Sequence, residues 1–354
     1  MSGVQVQPKT MKALFYPEHH RLEVNNQPVP VYRDDEVLLK VAACGICGSE
    51  LETFRQKSTR RVPPLIMGHE FCGEIVATGK AVQHWERGSI AVSNSIISCG
   101  HCASCITGRT NLCESREVFG MHRNGAFAAY VNVPAHCLIR VPPGVDLREA
   151  CLSEPLANGV HLVKLTRHIA MKNILVIGAG PIGLMAQQAF QTLRNVNIIV
   201  ADIRNERLAV AEKLGAIAVI NPAQSDLNSV LTEMTGGEGI DLVVDAVGSP
   251  DTSYKGLHAV RQGGALIVIG LYENSRSLYS YDIVLAEKQV IGSYAATQED
   301  MEDALELITT QKVDVHSWVH YYSLNDGVAA FNDMKEAKGN HIKSVLVMNE
   351  MESS

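Results

Sequence analysis

Asn173-Ile-Leu-Val-Ile177, then Gly178-Ala-Gly180-Pro181-Ile182-Gly183, then Leu184-Met-Ala-Gln-Gln-Ala-Phe-Gln-Thr-Leu193 read in order as an apolar strand, a glycine turn and a helix. A second apolar run, Val196 to Ala201, follows and ends on Asp202. The chain has 28 glycines in 354 residues, so the GxGxxG spacing alone would carry little. Its setting carries the weight: a β-branched run directly before it, a helix opening inside it, and an acid 19 residues past the last glycine. That combination is the fingerprint of a dinucleotide-binding βαβ unit. Gly178 allows the tight turn, Gly180 lets the backbone approach a pyrophosphate, and Gly183 lets the helix lie close on the strand. Pro181 and Ile182 open that helix, whose N-terminal N–H groups and dipole face the phosphates.

Asp202 selects the cofactor. A carboxylate at the end of the second strand accepts hydrogen bonds from both ribose hydroxyls of NAD and repels a 2′-phosphate, so NAD is favoured over NADP. Arg204, two residues on, either holds a 2′-phosphate or lies along the adenine, and Arg207 joins it among the expected cofactor contacts.

Outward from this unit the chain changes character on either side. From Met11 to about Val141 it is turn-rich, with short runs such as Lys12–Tyr16, Glu36–Ala42, Gly73–Ala77 and Ala126–Val131 punctuated by Gly and Pro, which predicts a barrel-like β lobe. Beyond Glu154, helices and strands alternate, as in a parallel, doubly wound sheet. Predicted helices cover 157–168, 206–214 and 226–234, and predicted strands cover 218–220, 240–247, 265–269 and 290–294. The sheet is complete before residue 300, so the tail returns to the first lobe. The expected division is 1–156 with 297–354, and 157–296.

Hydrophobic content of 46% and charged content of 19% describe an ordinary globular chain. The net charge of -7, without a Lys/Arg block, argues against a nucleic-acid surface and for small-molecule partners. Met1–Thr10 lacks the apolar core of an export signal, and no run of eighteen apolar residues occurs, so a cytoplasmic protein off the membrane is expected. Cys99, Cys102, Cys105 and Cys113 crowd into fifteen residues, while Cys44, Cys47, Cys72, Cys137 and Cys151 are scattered. A large chain with one tight cluster reads as a metal protein rather than a disulfide framework. Four thiolates on spacers of two, two and seven close a tetrahedron around one zinc and leave no position for chemistry, so this site is structural. A ferredoxin-type cluster needs a shorter last spacer and a following Pro, where this chain has Glu114.

Three further motifs are unremarkable singly: Gly45-Ile-Cys47-Gly48-Ser49, Gly68-His69-Glu70 and Ser153-Glu154-Pro155. Their order, the four-cysteine lobe between the second and third, and the dinucleotide unit after the third resemble the zinc-dependent medium-chain dehydrogenases. The likeness runs from Met11 to Met348 and is greatest to the polyol branch, which includes sorbitol, threonine, galactitol-1-phosphate and galactonate dehydrogenases. It implies a GroES-like β-barrel catalytic domain joined to a Rossmann domain. It also implies that Cys47 and His69 bind a catalytic zinc, with Glu70 and Glu154 supplying one further ligand between them. The acid at Glu154 matches the polyol enzymes, since the alcohol branch has a cysteine there. Only Cys47, not Cys44, has the Gly-Ser that follows the ligand in the family; the other scattered cysteines read as packing residues.

A zinc with an open position can lower the pKa of a bound oxygen acid from about 16 to about 7, so that an alkoxide forms and expels hydride to the nicotinamide. By the resemblance, Ser49 is the relay hydroxyl for the proton. Many relatives complete that relay with a histidine where this chain has Glu52, leaving Glu52 or water as the exit. Lys57, Arg60, Arg61 and Arg123 lie where the family's substrate cleft is lined. One of these arginines is a candidate partner for a phosphate or carboxylate on the substrate. The predicted activity is hydride transfer between NAD and a secondary alcohol of a polyol, sugar acid, sugar phosphate or cyclitol. The rivals are a zinc-free quinone or enone reductase and a non-catalytic NAD-binding protein on the same fold. Relatives are dimers or tetramers joined through the Rossmann sheet, which points to residues 278–294 as the contact.

Overall fold

In the computed structural model, which describes residues 8–272, 280–336 and 341–348, the chain divides into two compact units. One is built from the chain up to Glu154 together with Thr297–Thr309 and the stretch from Val315 onward. The other comprises Pro155–Ala296 and Thr310–Asp314. Residues 310–314, which the sequence reading leaves with the first lobe, are captured by the second through side-chain hydrogen bonds from buried Gln188 and from Thr192. The Gln188 carboxamide donates to the Asp314 carbonyl at 3.0 Å and accepts from its N–H at 2.6 Å, and Thr192 Oγ1 donates to the Lys312 carbonyl.

The second unit carries a six-stranded, all-parallel sheet in the order Ala218–Ile220, Asn197–Ala201, Asn173–Ile177, Ile240–Asp245, Val260–Val268, Gln289–Gly292. Ile174–Val176, Ile198–Val200 and Leu242–Val244 are buried along their whole lengths, as strands covered by helices on both faces must be. The strand order reverses on either side of Asn173–Ile177, which places a crevice beyond its carboxyl end, at Gly178. Helix Pro181–Arg194 packs so tightly there that a Cβ on Gly183 would overlap the Gly178 carbonyl. The strand from Ile240 stops at Asp245, two residues short of its predicted end. The buried Asp245 carboxylate accepts from the Val247 and Gly248 N–H groups and from the Thr252 and Ser253 hydroxyls, and so bends the chain into helix Pro250–Ala259. That helix has no counterpart in the sequence reading.

The first unit is the β lobe. A mixed sheet runs Leu138–Arg140, Ile90–Ser93, Glu70–Thr78, Glu36–Gly45, Lys343–Val347, Val319–Ser323, with Tyr130–Pro134 also paired to Glu36–Gly45. A three-stranded sheet of Arg21–Pro28, Thr10–Glu18 and Leu65–Ile66 accompanies it. Leu14, Tyr16, Leu39, Phe71, Phe119, Phe127 and Phe331 fill the core, with Phe71 edge-on to Phe119 and Phe127 edge-on to Phe331. The returning strand Lys343–Val347 pairs antiparallel with Glu36–Gly45 and parallel with Val319–Ser323, which carries a residue from near the chain's end into the middle of the lobe. Among the described residues no helix is long and apolar enough to cross a membrane.

Candidate metal and cofactor sites

The Sγ atoms of Cys99, Cys102, Cys105 and Cys113 lie within 4.8 Å of one another. One helical turn, Ala103–Ile106, and a 3₁₀ turn, Thr110–Leu112, curl the loop back on itself. Backbone N–H groups then point at sulfur: Cys99 N–H donates to Cys113 Sγ at 3.3 Å and Cys102 N–H to Cys99 Sγ at 3.4 Å. Backbone donors at Cys105 and Glu114 draw the Cys102 thiol down to about 6, which favours the thiolate that metal binding requires. Four sulfur donors in this arrangement fit a closed, tetrahedral zinc.

A second donor group forms where two chain segments meet. Cys47 caps helix Gly48–Arg55, His69 precedes strand Glu70–Thr78, and Glu70 is the first residue of that strand. One ligand atom from each lies within 4.8 Å of the other two. Behind them stands Glu50, a residue that sequence reasoning passed over. It is fully buried, accepts from the Cys47 and Gly68 N–H groups at 3.0 and 2.8 Å, and lies 2.9 Å from His69 Nδ1. Burial alone would raise the Glu50 pKa, but His69, Arg61 and the Cys47 N–H hold it below the usual carboxylate range. An ionised carboxylate only accepts, so His69 donates from Nδ1, which leaves Nε2 as the nitrogen that would meet a metal. Burial disfavours a charged His69, yet Glu50 and Cys47 raise its pKa well above the ordinary value: the pocket is built for positive charge. A thiolate, an imidazole and a carboxylate around such a point fit a zinc ion.

Glu70 is held from the opposite side by Lys343. This buried lysine donates to Glu70 Oε2 and, at 2.9 Å, to the Ile46 carbonyl. Burial works against its charge, but Glu70 and Cys47 outweigh it and keep its pKa raised. Gly45 makes the approach possible, because a Cβ there would overlap Glu70 Oε2. Glu154, at the start of helix Ser153–Leu165, falls outside the group of three. It is buried, its pKa is raised by burial and lowered again by His69, and Ser95 hydrogen-bonds to it.

Ser49 lies on the same helix, with its hydroxyl 3.3 Å from Cys47 Sγ, and Glu52 is half-buried one turn further on. Two of the four basic residues proposed for the substrate are already engaged. Arg61 is buried and donates to the Gly120 and Ser49 carbonyls, and Arg123 is ion-paired to buried Glu36 at 2.7 Å. Lys57 and Arg60 remain exposed. Cys44, Cys72, Cys137 and Cys151 are buried, and burial raises the thiols of Cys44, Cys137 and Cys151, as packing residues should show.

In the second unit a cavity of about 560 Å³ opens at the strand ends, lined in part by Gly178, Asp202, Ile203, Val247, Ser249 and Thr252. Asp202 Oδ2 accepts from the Ala179 N–H at 2.7 Å and Oδ1 from the Arg204 N–H at 2.9 Å. It thereby fastens the glycine turn to the second strand at the wall of the cavity. Arg207 Nη1 sits 3.9 Å from Asp202 Oδ2 and 3.7 Å from the position a Cβ on Gly180 would take, so its guanidinium spans the turn.

Comparison with known proteins agrees with both halves. Residues 33–143 match the alcohol dehydrogenase GroES-like domain and residues 181–310 match the zinc-binding dehydrogenase domain. The D-arabitol-phosphate dehydrogenase of Enterococcus avium is 32% identical over 96% of this chain and 98% of its own. The sorbitol dehydrogenase of Halalkalibacterium halodurans is 32% identical over 95% and 99%. Among solved structures, an alcohol dehydrogenase from Escherichia coli CFT073 complexed with NADH superposes with a TM-score of 0.90 at 26% identity, covering 96% of this chain and all of that one. With its GroES-like barrel, its Rossmann sheet and its thiolate metal site, this chain belongs to the zinc-binding alcohol dehydrogenase family, in the polyol branch, and is an oxidoreductase of alcohols that uses zinc and a nicotinamide dinucleotide.

Proposed function

We propose that the protein oxidises a secondary alcohol of a polyol, sugar acid, sugar phosphate or cyclitol with NAD. The observation that carries this reading is the convergence of Cys47, His69 and Glu70 on one point, with His69 Nδ1 committed to Glu50. These three residues would hold the catalytic zinc, and Cys99, Cys102, Cys105 and Cys113 the structural one. When bound, the catalytic ion supplies a Lewis acid for the alcohol oxygen, and the nicotinamide accepts the hydride. Glu50 keeps His69 in the ligating tautomer, and Lys343 holds the Glu70 carboxylate in place. Glu154, buried beside this group, would orient the substrate hydroxyl. Ser49 takes the proton that leaves the alcohol.

In the Rossmann unit, Gly178, Gly180, Pro181, Ile182 and Gly183 cradle the pyrophosphate, and Asp202 binds the adenosine ribose and disfavours a 2′-phosphate. Arg204 and Arg207 contact the adenosine and phosphates. Free thiols at all nine cysteines and a thiolate metal site suit the reducing cytoplasm. A homodimer across the open edge strand Gln289–Gly292 is supported by the exposed Tyr281, Val284, Leu285 and Val290 beside it; Leu278 and Tyr279 lie outside the described residues. Leu285→Asp should then shift the sedimentation mass to the monomer.

A panel of polyols, sugar acids, sugar phosphates and cyclitols with NAD, before and after chelation, tests the reading. Chelator-sensitive NADH formation with one of these classes supports it. Chelator-resistant reduction of a quinone or enone would replace it with the zinc-free reductase.

A further inference from the structure

Arg61 is the one residue of the basic loop that turns inward. Its side chain is 97% buried, with 3% exposed, and it makes no salt bridge within 4 Å among the described residues. Its donors are spent on neutral groups. Nε donates to the Gly120 carbonyl at 2.9 Å, Nη1 to the Ser49 carbonyl at 3.1 Å and more weakly to Thr53 Oγ1 at 3.4 Å, and Nη2 to Ser49 Oγ at 3.1 Å. The bonds to the two carbonyls anchor the loop to helix Gly48–Arg55. The bond to Ser49 Oγ adds nothing to that anchor, because Ser49 is already held by its backbone carbonyl and its side chain is exposed.

The chemistry of the two groups gives that bond a consequence. A guanidinium has donors and no acceptor, so Ser49 Oγ can meet it only through a lone pair. The hydroxyl hydrogen is therefore turned away from Arg61, and in this structure it points to Cys47 Sγ at 3.3 Å. We propose that Arg61 is a positioning residue for the proton step: it holds the Ser49 hydroxyl by one lone pair, so that the second lone pair is left to accept from the substrate hydroxyl and the hydrogen is kept on the side away from Arg61. The overall change is an alcohol and NAD⁺ giving a carbonyl, NADH and a proton. Hydride goes to the nicotinamide, and the hydroxyl proton goes to Ser49 as Ser49 passes its own proton on to Glu52 or water. An unpinned serine would spend much of its time in rotamers that cannot accept from the substrate, and near-attack geometry is lost with ångström-scale misplacement. Lysine cannot replace arginine here, since a single ammonium cannot bridge Gly120, the Ser49 carbonyl and Ser49 Oγ at once.

This inference rests on the relay assigned to Ser49 under the proposed function, and a double-mutant cycle separates the two. Ser49→Ala should lower kcat about 100-fold, the low end of what a positioned proton-transfer group contributes. Arg61→Lys should lower kcat on the order of tenfold with KM nearly unchanged, and should enlarge the solvent deuterium isotope effect on kcat. In the Ser49→Ala background the same Arg61→Lys change should leave kcat alone, while its cost in Tm persists in both backgrounds. Arg61→Gln carries the same cycle if the lysine variant does not fold. Equal kcat losses from the Arg61 change in both backgrounds, or no kcat loss in the wild-type background, would make Arg61 purely structural and overturn the inference. A Ser49→Ala enzyme with undiminished kcat would remove the relay itself, and the inference with it.

Discussion

Glu50 Oε1 stands 2.9 Å from His69 Nδ1 and, with the same oxygen, accepts the Gly68 backbone N–H at 2.8 Å. One buried carboxylate thus fixes both the ring of His69 and the backbone that delivers it. Because Glu50 also accepts from Cys47 N–H, it ties the two ligand-bearing segments, at Cys47 and at His69, into one rigid corner.

Glu50→Gln should keep the packing and lose the tautomer control, since an amide can offer His69 either a donor or an acceptor. Losses of this kind typically cost 10–100-fold in metal affinity or activity. Zinc affinity by competition with a chromophoric chelator, together with kcat/KM, checks it; wild-type values for both would show that His69 needs no carboxylate.

Lys343 and Glu70 form a buried ion pair, and removing one partner strands the other's charge. Lys343→Met should destabilise the protein by about 3–5 kcal/mol in urea unfolding. The double variant Lys343→Met/Glu70→Gln should recover part of that loss while remaining inactive. Activity retained in the double variant would take Glu70 out of the ligand set and hand its place to Glu154.

Asp202 predicts cofactor choice. Wild type should prefer NAD to NADP in kcat/KM, and Asp202→Ala should erase the preference, by tenfold or more, about 1.4 kcal/mol for each factor of ten. An unchanged NAD/NADP ratio in the variant would assign the discrimination to Arg204 and Arg207 instead.

Glu36 gives a pH signature outside the active site. Burial pushes its pKa up, but the Arg33 N–H, Asn132 and Arg123 outweigh burial and hold it below its ordinary value of 4.5. A depressed carboxyl contributes stability that is fully present above the unfolded pKa and is lost as pH falls through the folded one. The gap in unfolding free energy between wild type and Glu36→Gln should therefore be constant from pH 6 to 7 and narrow as pH drops below about 4.5. A gap that widens on acidification would contradict this account of the Arg123 pair.

What the sequence made legible follows from how local each signal is. The dinucleotide unit and the four-cysteine lobe are contiguous stretches whose spacing is dictated by a turn or a tetrahedron, and both stand in the structure where their residues place them. Strand Ala218–Ile220 was readable for the same reason. Cys47, His69, Glu70 and Glu154 were proposed only through a family likeness, because three separated short motifs carry no geometry by themselves; the structure brings the first three together and leaves Glu154 outside the group. Glu50 had a local trace, an acid at the third position of the helix that Cys47 caps, which reads as a capping residue before it reads as a histidine's partner. Lys343 and Arg61 had none. A lysine opening an apolar strand and an arginine in a basic loop look solvated until tertiary pairing buries them, 273 residues from Glu70 in the first case. Helix Pro250–Ala259 was hidden by its middling composition, and its start is set by Ser249 and Thr252 capping one another and by Asp245, a tertiary arrangement.

Zinc per chain, measured on wild type and on Cys47→Ser/His69→Ala by mass spectrometry of the metal, tests the central claim most directly. The account predicts two zinc ions in the wild type and one in the double variant, with the Cys99–Cys113 site still filled and turnover abolished. A wild type holding a single zinc, or a double variant that keeps both ions, would contradict it.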